Sequence, residues 1–126
     1  MALHSSTDIY AAAFDLLGEA GDVVLQMSRN VKSIYGRLII DACIEMGLHI
    51  RAANIANEKA PHIDKLLERL EVVELLTRTC RDRRYMPPAH YARIVKLTQS
   101  IGRQANGWKK ASLGGAMQHQ LTGLSA

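Results

Sequence analysis

Apolar residues recur at steps of three and four along most of the chain, the period of helices with one buried stripe. The first stripe reads Ile9, Ala13, Leu16, Leu17, Val24 and Met27. Residues 5–8 just before it offer Ser, Thr and Asp oxygens to exposed N–H groups, so the helix is expected to start there. Gly18 and Gly21 weaken it by about 1 kcal/mol each relative to Ala and leave room for a bend. Asn30 is placed to cap a second helix running to about Ala56, with Ile34, Leu38, Ala42, Met46, Ile50 and Ala53 on its apolar face. Residues 57–61 interrupt, and Pro61 suits the first turn of a third helix, where a missing N–H leaves no bond unmade. That helix carries Ile63, Leu66, Leu67, Leu70, Val73 and Thr77 and is expected to end near Arg84. Pro87 and Pro88 stop it and suit entry to a fourth helix, with Tyr91, Ile94, Thr98, Ile101, Ala105 and Trp108 turned inward. From about Ser112 the chain turns to Gly, Ser, Gln and Ala. No segment alternates with the period of two that a strand requires. The expectation is an all-α protein: an antiparallel up-down-up-down four-helix bundle over residues 1–111, then a flexible C-terminal tail over residues 112–126. Helices of roughly 20 residues, about 30 Å long, make an elongated bundle whose flanks invite side-by-side oligomers.

Composition agrees with this picture. The chain has 126 residues, 48% of them hydrophobic, 22% charged and only 5% aromatic, a palette that favours helices in a single domain. No apolar run approaches the roughly 20 residues of a membrane span, and residues 1–8 lack the basic-then-apolar pattern of a secretion signal. Cys43 and Cys80 are far apart, without metal-type spacing, and read as free thiols. These features predict a cytoplasmic protein with no membrane partner.

Charge changes the picture more. Residues 1–75 hold 7 basic and 11 acidic side chains, whereas residues 76–126 hold 9 basic and 1 acidic, Asp82. The 9 are Arg78, Arg81, Arg83, Arg84, Arg93, Lys96, Arg103, Lys109 and Lys110. On the fourth helix Arg93, Lys96, Arg103 and Lys110 fall within an arc of about 100°, opposite the apolar stripe. No acid follows Asp82, so none of these cations has a partner within its own helix. A helix C-terminus favours one or two nearby cations through its dipole; four arginines within residues 78–84 exceed that need. Guanidinium forks match phosphate or carboxylate oxygens. If six or more of these cations met phosphates, affinity would fall ~10³-fold or more between 50 and 200 mM salt. Tyr85 and Tyr91 are the only aromatics in this region before Trp108, and Tyr91 belongs to the core stripe. Recognition would therefore follow backbone charge and shape rather than base sequence.

Signals of catalysis are sparse. His4, His49, His62, His90 and His119 have no metal-ligand spacing with one another or with the cysteines, and no phosphate loop or nucleophile elbow is present. No catalytic residue, metal or cofactor is expected. Arg84 and His90 have the spacing of HEPN-type helical ribonucleases, but Pro87 and Pro88 between them predict different helices. Asp41 and Arg51 alone are thin support for a helical mutase. A helical interaction module with an acidic protein partner remains an alternative to nucleic-acid binding.

The fourth helix contains the string Tyr91-Ala-Arg-Ile-Val-Lys-Leu-Thr-Gln-Ser-Ile101-Gly102-Arg103-Gln-Ala-Asn-Gly107-Trp108-Lys109-Lys110. It resembles the closing helix of the accessory variability determinant (Avd) proteins of diversity-generating retroelements. Leu75-Leu76-Thr77-Arg78, Arg81-Asp82 and Met86-Pro87-Pro88 resemble that family's third helix and its exit, and residues 50–54 the end of its second. The resemblance covers about residues 9–111. A four-helix family encoded within ribosomal RNA intervening sequences shares the fold. Arg83 and Arg84 stand where the family more often has apolar residues and Gly. The resemblance implies a non-enzymatic homopentamer that binds a reverse transcriptase and RNA or DNA, and that supports mutagenic retrohoming from a template RNA. It carries Arg78, Arg103 and Lys109 or Lys110 over as binding cations. Gly102 and Gly107 are expected to let helices approach closely, with Trp108 at the core edge facing a neighbouring subunit.

Overall fold

The computed structural model describes the backbone of residues 2–125 and the side chains of residues 8–115. The chain forms α1 (Ala2–Gln26), a composite α2, α3 (Ala60–Asp82) and α4 (Pro88–Ser125). In α2, a first turn at Arg29–Val31 passes through a π-helical turn at Lys32–Gly36 into Arg37–Ile55. No strand occurs among the described residues. Each of α1 and α3 packs against both α2 and α4, so the helices enclose one core in a four-helix bundle. The core is aliphatic: Ile9, Leu16, Val23, Ile39, Met46, Ile50, Ile63, Leu66, Val73, Ile94 and Ile101 are all buried. Thr77 and Thr98 are buried with them, and each hydroxyl donates to a carbonyl of its own helix, at Val73 (2.7 Å) and Val95 (3.1 Å). None of the described helices is long and apolar enough to cross a membrane.

Several boundaries differ from the sequence expectation. α1 is already helical at Ala2, so the polar residues 5–8 lie within it rather than at its cap, and it runs unbroken through Gly18 and Gly21. Ile34 and Leu38 are not core residues: they are 59% and 51% exposed, and Ile39 and Cys43 turn inward beside Ala42 instead. The segment carries more apolar residues than one face can bury, and the docking of α1 and α3 decides between them. α1 comes close at Gly36, which is buried; a Cβ there would sit 2.8 Å from Val24 Cγ1. The π-helical turn ends at this residue, where the extra residue per turn lets the backbone come close to α1.

The two later turns are built differently. After α2, Ala56 goes extended and the Lys59 ammonium folds back to donate to the Ala53, Asn54 and Ala56 carbonyls at 2.9, 3.1 and 3.0 Å. It thereby satisfies carbonyls that the helix end leaves open. Pro61 then occupies the first turn of α3, as its spacing predicted. After α3, the Tyr85 N–H donates to the Cys80 carbonyl (2.7 Å) and the Arg84 N–H to the Arg81 carbonyl (3.1 Å). This is a Schellman closure, and its left-handed position, usually Gly, is taken by Arg84 at φ 61°. A side chain in that conformation costs about 1–2 kcal/mol.

α4 does not end near Ser112. Its backbone is helical up to Ser125, past the boundary expected at residue 111. Gly114 and Gly115 lower helix propensity without forbidding the conformation, and no Pro follows to enforce a stop.

Candidate nucleic-acid interface

The cations singled out from sequence occupy two places. Arg78, Arg81, Arg83 and Arg84 gather at the end of α3, all exposed, while Arg93, Lys96, Arg103, Lys109 and Lys110 run along α4. They are not uniformly unpaired, as the lack of acids after Asp82 suggested. Arg93 donates to Glu19 of α1, Lys109 Nζ lies 2.6 Å from Asp64 of α3, and Arg81 holds Asp82 Oδ1 through Nε (3.0 Å) and Nη2 (2.7 Å). The partners come from neighbouring helices or the adjacent residue, so the spacing rule for one helix could not find those on α1 and α3. Arg103 has no ion pair, but it shares the α3–α4 groove with Glu71 and Glu74. Burial and then the Glu71 charge push the Glu74 carboxyl up. Among the described residues Arg78, Arg83, Arg84, Lys96, Arg103 and Lys110 form no ion pair.

The packing also brings in cations the sequence reading passed over. The Tyr35 and Tyr85 rings meet at 5.5 Å between centroids, which sets the start of α2 beside the exit of α3. Arg29, Lys32 and Arg37 thus join residues 78–84 at one end of the bundle. The signal was present: no acid lies between Asp22 and Asp41, but the acidic average of residues 1–75 concealed it. This end holds seven cations, Arg29, Lys32, Arg37, Arg78, Arg81, Arg83 and Arg84, against Asp82 in the same segments. A rigid helical frame presenting that excess creates a positive field at this end of the bundle.

No family model matches the chain, and neither curated proteins nor solved structures yield a match.

Tyr91 is half-buried, and the Arg81 guanidinium lies over its ring at 4.7 Å from the centroid. His90 is engaged by Glu19 (3.5 Å) and by an Arg93 N–H (2.9 Å), and among the described residues it forms no hydrogen bond with Arg84. The spacing of Arg84 and His90 therefore does not translate into one paired site. No cluster of His, Cys, Asp and Glu among the described residues is arranged to hold a metal ion. The glycine expectations change as well. A Cβ at Gly102 would rest 3.5 Å from Leu70 Cδ2, an ordinary contact, and one at Gly107 would meet nothing within 4 Å. Neither glycine is required for packing within the chain. Trp108 is 3% exposed and lies in the core itself, because the inward stripe of α4 reaches Trp108 after Ile101 and Ala105.

Proposed function

We propose that this protein is a non-enzymatic, basic accessory protein of a diversity-generating retroelement, similar to the Avd family. In this reading it binds the reverse transcriptase and the template RNA or cDNA and supports mutagenic retrohoming in the cytoplasm. The observation that carries the reading is the set of exposed arginines without ion pairs, Arg78, Arg83 and Arg84, at the Arg29–Lys32 end of an all-helical body. They offer phosphate-matching forks on a rigid frame and little to read bases with, so the protein acts as an electrostatic scaffold. The bundle is read as up-down-up-down and as one unit of a homopentamer. Phe14, Leu25, Ile34, Leu48 and Ile55, each more than half exposed on α1 and α2, supply apolar surface that such an assembly would cover.

The test is to reverse Arg78, Arg81, Arg84 and Arg103 to Glu and measure binding of the reverse transcriptase and of RNA and DNA. Loss of both with helicity intact is the expected result. Survival of both at moderate salt overturns the proposal. Retention of the polymerase with no retention of RNA or DNA by the wild-type protein would favour the acidic-partner alternative. Light scattering of the purified protein checks the pentamer.

A further inference from the structure

The closure of α3 contains a contradiction that packing does not resolve. Position 84 takes the left-handed conformation in which Gly is unstrained and an arginine is not. The side chain that brings the strain makes no ion pair among the described residues and covers no core. Strain of this kind persists where the residue serves something other than stability. Around it lies an open groove of about 400 Å³ lined by Arg81, Arg84, Tyr85, Met86, Pro87 and Pro88. One side of it is cationic and the rest is ring and thioether surface.

The two guanidiniums are prepared differently. Arg81 is fixed before any ligand arrives, held by Asp82 Oδ1 through two N–H groups and laid over the Tyr91 ring. It keeps further N–H donors unused. Arg84 has no such tether and stands on a rigid turn beside it. A phosphate fits between a fixed fork and a free one, and the flat faces of Tyr85, Pro87 and Pro88 suit the sugar and base attached to it.

We propose that this groove is a binding site for one phosphorylated nucleotide unit, with Arg84 as its specific phosphate ligand. The proposal rests on the reading of the basic end as a nucleic-acid surface and deepens it. It separates one shaped site from the general charge. The phosphate can belong to a strand end or to the interior of a single strand, and the experiment distinguishes these.

The variant that decides is Arg84→Gly, which removes the ligand and relieves the backbone together. Its Tm is expected to rise by roughly 2–5 °C. Its affinity for a 5′-phosphorylated RNA octamer, measured by fluorescence anisotropy at 50 mM salt, is expected to fall about tenfold or more, as for a lost charge-assisted bond. Lys110→Gln, which removes one charge far from the groove, is the comparison and should lose only a few-fold. Repeating the titration with the unphosphorylated octamer assigns the source. A wild-type preference for the phosphorylated strand that Arg84→Gly abolishes marks a strand end. An equal loss on both strands marks an internal phosphate.

The proposal is overturned if Arg84→Gly is stabilised yet binds like Lys110→Gln, and the broader reading then stands. It is also overturned if the Tm does not rise, since the strain that singles out Arg84 is then absent. If the wild-type protein retains neither octamer nor a longer RNA at 50 mM salt, this site and the broader reading fall together.

Discussion

The turns at the two ends of α3 each set a basic side chain beside a helix C-terminus, and those side chains do opposite things. Lys59 turns back and closes two carbonyls of α2 and that of Ala56 just past it, so its charge is used inside the fold. At the other end backbone N–H groups close the helix, and the cations beside it are exposed. There the backbone even takes an unfavourable conformation at Arg84 rather than a Gly. A basic residue near a helix end is therefore uninformative until one knows whether its carbonyls are already served. Where they are, the cation is free for a partner; where they are not, it is a cap.

The largest effect that would break this contrast is on binding. Neutralising Arg78, Arg83 and Arg84 to Gln should lower the salt dependence of RNA binding by about one logarithmic unit of slope per residue removed. Thermal stability should stay within about 0.5 kcal/mol per site, as for exposed substitutions. A filter-binding series from 50 to 200 mM salt, run beside a melting curve, reads both. An unchanged slope would place the phosphate contacts elsewhere and remove the distinction between the turns.

Next in size is Gly36→Ala. The added Cβ would meet Val24 Cγ1 at 2.8 Å, and a β-branched side chain yields little, so a loss of about 1–3 kcal/mol is expected by chemical denaturation. Gly107→Ala, where nothing lies within 4 Å, should instead gain up to about 1 kcal/mol from helix propensity. The pair shows what the glycines of this chain are for, which their positions in the sequence do not. Lys59→Met follows, with an expected loss of about 1–2 kcal/mol from opening the α2 cap and no change in the salt slope. A Lys59 variant that weakened RNA binding as much as the arginine variants would erase the contrast.

The helices were legible because each repeats its apolar residues at helical spacing, and Ile63, Leu66, Leu70, Val73 and Thr77 are buried as that spacing requires. The rotation of α2 was not, since Ile34, Leu38, Ile39 and Cys43 are all apolar and the packing of α1 and α3 against α2 selects among them. The cations of residues 78–84 could be named from sequence. The number of free charges along α4 could not, because Glu19 and Asp64 are remote in sequence from Arg93 and Lys109. Arg29 and Lys32 were missed because residues 1–75 average acidic, and the Tyr35–Tyr85 contact that carries them to the basic end joins distant segments.

The smallest expected effect concerns Glu19, the acid that takes Arg93 out of the free set. The hydrogen bond from Arg93, then the charges of Arg93 and His90, outweigh partial burial and hold its carboxyl below the usual value. A carboxyl lowered in the folded state adds stability above its unfolded pKa, and that stability is lost as pH falls through the folded pKa. The affected window therefore lies below about pH 4.5, and neutral pH is untouched. The partner guanidinium is half exposed, so the contribution is under about 1 kcal/mol. Glu19→Gln should reduce stability slightly at pH 7 and remove part of the decline toward pH 3 in a series of urea midpoints. It should also free Arg93, adding up to one unit to the salt slope of RNA binding if phosphates reach that far along α4. A stability loss without any change in slope would confine the binding surface to the α3 exit and the start of α2, and leave α4 as the wall that supports it.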